Sequence, residues 1–162
     1  MRRCATLEEF DSRLIDVRYL NQQISWEKRK HFFSDWVEAI EIEDVTGLVG
    51  GGAVRTVEKK LNSQSGALLL SNVAIRERSM KWLPSKDLGP ALPRLQTGDY
   101  LGVYSEHPWL DVSHVGIVVR KEGKIYLRHA SSRPGVLKVV DSFLPDYLED
   151  KPGIVVLRAV AP

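Results

Sequence analysis

Histidine is the side chain best suited to moving protons near neutral pH, and this chain has four: His31, His107, His114 and His129. His114 and His129 belong to adjacent segments that read as β-strands, with Glu122-Gly123 between them as a two-residue hairpin loop. In that register Lys121 faces Lys124 and Gly116 faces His129. Side chains alternate along a strand, so residues 114 and 116 share a face. The two histidines then become diagonal neighbours, about 7–8 Å apart at Cα and within reach of each other's rings. Glycine at 116 would leave room beside both. A three-residue loop would put the rings on opposite faces. Two readings stay open: a general base, His114, oriented by a second polar group, His129, or two half-buried strand histidines, each bonded to its surroundings.

A base needs a nucleophile. Ser113 adjoins His114 but should point to the opposite face. Ser131 and Ser132 follow His129 without a Gly-x-Ser-x-Gly elbow. Cys4 is intrinsically the best nucleophile present, but only as a thiolate near a base. It stands two residues before the expected helix cap and reads as an incidental terminal thiol. Asp111, His107, His114 and His129 could be gathered around a metal, yet no His-Glu-x-x-His or comparable ligand spacing supports one; no metal or other cofactor is expected. Gly50-Gly51-Gly52 lacks the lysine and hydroxyl of a phosphate loop and reads as a turn. Arg29-Lys30-His31 has the composition of a solvated face, but Arg29 and His31 are in reach of a carboxylate ligand. Among the tryptophans, Trp109 lies in the loop before His114 and is the one placed to touch a substrate.

The elements that must position these residues fall into two halves. Thr6-Leu7-Glu8-Glu9 is a capping-box pattern, and Leu7, Phe10, Leu14 and Val17 recur at helical spacing, predicting a helix over 7–20. A second helix is expected over 26–40, with Phe32, Phe33, Trp36, Val37 and Ile40 on its apolar face. Residues 45–52 end in a turn, 53–62 fit a strand or a helix, and 63–80 carry no clear period. Pro84, Pro90 and Pro93 predict an extended surface loop. Strands are then expected over 100–104, 115–120, 124–130, 136–140 and 153–160, with Ser142 capping a short helix that buries Phe143, Leu144, Tyr147 and Leu148. Helices first and an antiparallel sheet after is an α+β order.

Composition bounds the rest. The chain's 162 residues fit one domain with a real core. A net charge of +2, from 23 basic and 21 acidic side chains, is too balanced to argue for nucleic acid. One cysteine makes no internal disulfide. Apolar runs are short, as at Ala67–Leu70, so no membrane span is expected. The arginines at the N-terminus are followed at once by Glu8 and Glu9, which is no signal peptide.

Three stretches in order, Thr97-Gly98-Asp99-Tyr100, Asp111-Val112-Ser113-His114-Val115-Gly116-Ile117 and Leu127-Arg128-His129-Ala130-Ser131-Ser132, resemble the second half of an NlpC-type papain-like hydrolase. More narrowly they resemble the N-acetylmuramoyl-L-alanine amidase-like family of bacterial envelope proteins. Val17-Arg18-Tyr19, the run from Arg29 to Trp36, Asp44-Val45-Thr46 and Gly153 to Arg158 fit too, so the resemblance covers nearly the whole chain. It implies a single α+β domain over 1–162 with a papain-like core, its N-terminal helices packed on a small antiparallel sheet or partial barrel. It also implies hydrolysis of an amide bond in peptidoglycan or muropeptides, and a place in the periplasm or cell envelope. The family's base maps to His114 and its orienting residue to His129; Tyr19, Arg29, His31 and Trp109 are the substrate-binding candidates.

The family's nucleophile is a cysteine in an Asp-Cys-x-Thr-Phe-Val-Glu-like motif at a helix N-terminus, where the helix lowers the thiol pKa. Nothing around Cys4 matches that motif, and its helix would lie upstream of Met1. Three expectations follow, in order of preference: an N-terminally incomplete domain from an internal start or a split gene, a natural pseudoenzyme, or Cys4 swinging into place. Little or no hydrolysis by the chain alone is expected. The alternative is a non-catalytic muropeptide-binding module, with a homodimer or a complementing chain covering the apolar surface a lost helix would leave.

Overall fold

The computed structural model describes residues 4–38 and 41–160. Its elements run α1 (Leu7–Arg18), β1 (Ile42–Asp44), α2 (Thr46–Gly50), β2 (Arg55–Leu61), β3 (Ser63–Gln64), β4 (Ala67–Leu68), β5 (Arg76–Pro84), β6 (Tyr100–Tyr104), β7 (Val112–Lys121), β8 (Lys124–Ala130), β9 (Val139–Phe143), α3 (Leu144–Leu148) and β10 (Gly153–Ala159). Short 3₁₀ turns fill Phe33–Glu38, Ser85–Asp87 and Gly89–Arg94. The result is an α+β protein with one mostly antiparallel eight-stranded sheet, ordered β2-β5-β10-β6-β7-β8-β9, with β1 also paired to β10. The expected sheet was small; this one runs through most of the chain. No helix among the described residues is long and apolar enough to cross a membrane.

Strand alternation sorts the core into two faces. On one, Leu101, Val103, Val118, Leu127, Ile154 and Val156 point at α2, α3 and the proline-rich turns. On the other, Met80, Val155 and Leu157 meet Phe33, with Trp36 and Tyr100 partly buried beside them. A fully buried leucine contributes about 1.5–3 kcal/mol, and Leu101, Leu127 and Leu144 are each 0% exposed. The sheet is therefore where stability is concentrated. Asp99 is also buried there, and Arg158 holds it with two hydrogen bonds of 2.7 and 2.8 Å. This fixes the Thr97-Gly98-Asp99 bend that feeds β6.

Several expectations shift. The second helix does not form. Residues 26–28 turn, Tyr19 and Arg29 make a β-bridge, and only a 3₁₀ turn follows at Phe33–Glu38. The cause is polar: Asp35, 1% exposed, accepts from the Phe32 N–H and pairs with Arg76 and Arg78 of β5, which draws the segment onto the sheet. Ile40 lies outside the described residues. The segment 45–52 forms the short helix α2 before its glycine turn, which is a 3₁₀ turn at Gly51–Ala53, and α2 is tied to β10 because the Thr46 hydroxyl accepts from the Val156 N–H at 2.9 Å. The proline-rich stretch is not an extended surface loop, since Leu88, Ala91 and Leu95 are buried. Ser142 lies in β9 rather than capping α3, whose N-cap is Phe143.

Candidate active site

The Glu122-Gly123 loop is the two-residue turn that the histidine geometry needs. Lys121 pairs with Lys124, and both loop residues have positive φ, 52° and 73°, as the hairpin's twist demands. The register carries His114 and His129 onto the same face. Nε2 of His114 lies 2.9 Å from Nδ1 of His129, with the rings perpendicular at 87° and 4.9 Å between centroids. Nε2 of His129 in turn lies 3.1 Å from the Ser142 hydroxyl on β9. The three groups form one line of hydrogen bonds across three neighbouring strands, β7-β8-β9. Among the described residues, Nδ1 of His114 has no hydrogen-bond partner.

The surroundings cover much of this line. His129 is 7% exposed and His114 is half-buried. Tyr147 of α3 covers both rings, its centroid 4.8 Å from that of His129 and 6.3 Å from that of His114. Burial pushes the His114 imidazole below its ordinary pKa. His129 is also lowered, first by burial and then by the charges of His114 and Arg133. Gly116 does not open space beside the rings as its lack of a side chain suggests. A Cβ there would meet Leu127 Cδ1 at 2.6 Å and the Arg128 carbonyl at 2.8 Å, so the glycine lets β8 pack closely under the pair.

A β-bulge aims His114. Val103 pairs with His114 and Tyr104 with Val112, which leaves Ser113 as the extra residue. The Ser113 hydroxyl points to the Val103 carbonyl at 3.5 Å. Just before the bulge, buried Asp111 accepts from the N–H groups of Ser34 (2.7 Å) and Val112 (2.8 Å). Its carboxyl is raised by burial and drawn back by those N–H groups. Asp111 is thus a brace for the start of β7. No group of three histidine, cysteine, aspartate or glutamate side chains among the described residues is placed to hold a metal.

The candidate substrate residues separate. A cleft of about 450 Å³ beside β7 is lined by His31, Phe33, Trp36, Leu110 and His114 among others. His31 is fixed there by the Trp26 carbonyl at 2.7 Å. Arg29 lines a neighbouring hollow with Arg18. Tyr19 and Trp109 line neither of these among the described residues. Trp109 stacks on His107 at 4.8 Å. Their loop is held by a group that spacing did not single out, Lys59, 3% exposed, which donates to the Ser105 carbonyl and, at 2.6 Å, to that of His107. Ser142 was missed as a site residue too; its place on a third strand, opposite Leu127, comes from the fold. Cys4 precedes the N-cap of α1 and is not among the described residues lining the cleft.

Fold and geometry define an α+β domain whose single large sheet carries a paired-imidazole site. The chain belongs to the N-acetylmuramoyl-L-alanine amidase-like family: the AmiA-like family model matches residues 1–154. Similar solved structures include an N-acetylmuramoyl-L-alanine amidase from Bacteroides uniformis, 26% identical with a TM-score of 0.76, the match covering 98% of this chain and 77% of that one. A Bacteroides fragilis protein named as a candidate xylanase is 29% identical, with a TM-score of 0.69 and coverage of 94% and 76%. A Legionella pneumophila protein of the DUF1460 family, 19% identical over 96% of this chain and 70% of that one, shares the fold at a TM-score of 0.79. No curated protein matches.

Proposed function

We propose that this chain is a single-domain hydrolase of amide bonds in peptidoglycan, built on a papain-like, NlpC-type core, with His114 as general base and His129 as its orienting residue. The observation that carries this reading is the 2.9 Å bond between the rings, which leaves Nδ1 of His114, a residue lining the cleft, without a partner among the described residues. For Nδ1 to accept a proton, Nε2 must already hold one and donate it to Nδ1 of His129. His129 then keeps its own proton on Nε2 and donates to Ser142. A base must also be neutral at working pH, and burial lowers both rings.

The chemistry that fits is acyl transfer. A thiolate adds to the amide carbon and forms a C–S bond. The C–N bond breaks as the His114 imidazolium protonates the leaving amine. Water then cleaves the thioester, giving up its proton to His114. Glycoside hydrolysis would need two carboxyl groups flanking the bond; among the described residues the cleft at His114 is lined by one, Asp111, which is occupied by the Ser34 and Val112 N–H groups. Tyr19, Arg29, His31 and Trp109 are our candidates for substrate contacts, with peptidoglycan or muropeptides of the cell envelope as the partner.

The nucleophile is the weak side of the site. The Ser113 hydroxyl is turned to Val103 and that of Ser131 accepts from the Arg133 N–H. We therefore expect little or no hydrolysis by this chain alone, and the same gap favours a second reading, a muropeptide-binding module that pairs with another copy or a complementing chain. Mass spectrometry of peptidoglycan incubated with the chain, His114→Ala and Cys4→Ala separates these. Cleavage lost in His114→Ala supports the hydrolase, and its loss in Cys4→Ala as well identifies the nucleophile. Muropeptide binding without cleavage supports the second reading. Folded protein that neither cleaves nor binds overturns both.

A further inference from the structure

Beside the cleft at His114 lies a second hollow, of about 290 Å³, lined by Val17, Arg18, Arg29, Lys30, Trp36 and Tyr100, with Ile42 at its edge. Its charge is one-sided: among the described residues three cations and no carboxylate line it. Among the described residues neither Arg18 nor Arg29 has an ion-pair partner, and Arg18 leans only on the Tyr19 ring, 5.9 Å from its centroid. Lys30 is 8% exposed, yet its ammonium meets a single described acceptor, the Asp16 carbonyl at 2.9 Å. Lys30 thus keeps donors to spare beside two exposed guanidiniums, so the hollow carries positive charge that an anion would offset.

The segments that carry the cations are held together by backbone. Tyr19 bridges Arg29, and the Lys30 N–H donates to the Arg18 carbonyl at 2.9 Å, so the segments carrying Arg18, Arg29 and Lys30 form a short ladder. Behind them stand aromatic walls, with Trp36 and Tyr100 edge to face at 5.6 Å. Trp36 also lines the cleft at His114, so the two hollows share a wall.

We propose that this hollow binds a carboxylate of the peptide part of the substrate, received by the guanidiniums of Arg18 and Arg29 with the Lys30 ammonium behind them. It rests on the proposed function for the identity of the substrate and adds where the substrate's charge is read. Two guanidiniums suit a planar carboxylate, which each can meet with paired N–H donors. A substrate anchored here would reach along Trp36 toward His114.

The test is an NMR titration that follows the Trp36 indole N–H. The probes are a γ-glutamyl dipeptide with free carboxylates, its carboxamide analogue and inorganic phosphate. The expected result is a shift with the acid, weakened about tenfold or more in the carboxamide and in both Arg18→Gln and Arg29→Gln. Both arginines are exposed, and unchanged dispersion of the remaining spectrum confirms that the variants fold. Equal binding of acid and amide, indifference to both substitutions, no shift at all, or tighter binding of phosphate than of the dipeptide would each overturn the proposal. None of these readings needs hydrolysis, so failure here and failure of the histidine site are separate outcomes.

Discussion

Two helices at opposite ends of the chain behave in opposite ways. α1 is 12 residues long, opens with a capping box in which Thr6 accepts from the Glu9 N–H and Glu9 accepts from the Ala5 N–H, and carries an apolar residue at each helical turn. None of its residues is buried, and Leu7 is 82% exposed. α3 has five residues and no side-chain cap, yet it buries Leu144 and Leu148 and lays Tyr147 over the histidine pair. Local sequence quality makes α1 a helix. Contact with the sheet makes α3 part of the site. The difference teaches that stability and chemistry here follow proximity to β6–β10, while α1, none of whose residues is buried, has polar ties such as that between Lys30 and Asp16.

The comparison is broken most sharply by truncating one leucine in each region. Leu127→Ala removes a 0% exposed side chain that packs under Gly116 and should cost about 2–5 kcal/mol in urea denaturation. Leu7→Ala should cost less than about 0.5 kcal/mol. Similar losses at the two positions would mean that α1 is buried by something in solution.

A smaller effect sharpens the same contrast through pH. Both site histidines are held below the ordinary value of about 6.5. The unfolded chain therefore binds their protons at a higher pH than the folded chain does. Stability contributed by the neutral pair is present above about pH 6.5 and is lost as pH falls through the lowered folded values. Denaturation midpoints of the wild type and of His129→Gln, compared across that range, should converge toward low pH.

The sheet half was legible because its signals are local and strong. Turn residues bracket alternating runs, and the two-residue loop at Glu122-Gly123 sets the register on which the histidine pair depends. β6, β8 and β10 fall within a residue of where alternation puts them. β9 slips to Val139–Phe143, and with it Ser142 moves from a helix cap to a strand. The second helix failed because its apolar pattern was real but its polar residue, Asp35, had long-range partners in Arg76 and Arg78. Tertiary ion pairs of this kind, like the bulge at Ser113 and the buried Lys59, leave no periodic trace in a single sequence. In the site, the imidazole pair was readable from register alone. The third group in its line, and the separation of Arg29 and His31 into neighbouring hollows, required the fold.

The central claim is that β7, β8 and β9 hold His114 with Nε2 protonated and Nδ1 free to act as a base. Long-range 15N–1H correlation spectra of the histidine rings test it directly, with or without activity. Both His114 and His129 should show an Nε2–H tautomer near neutral pH. In Ser142→Ala that preference should weaken at His129, and Ser142→Thr should restore it. An Nδ1–H tautomer at His114, or rings averaging freely between forms with ordinary pKa values, would contradict it.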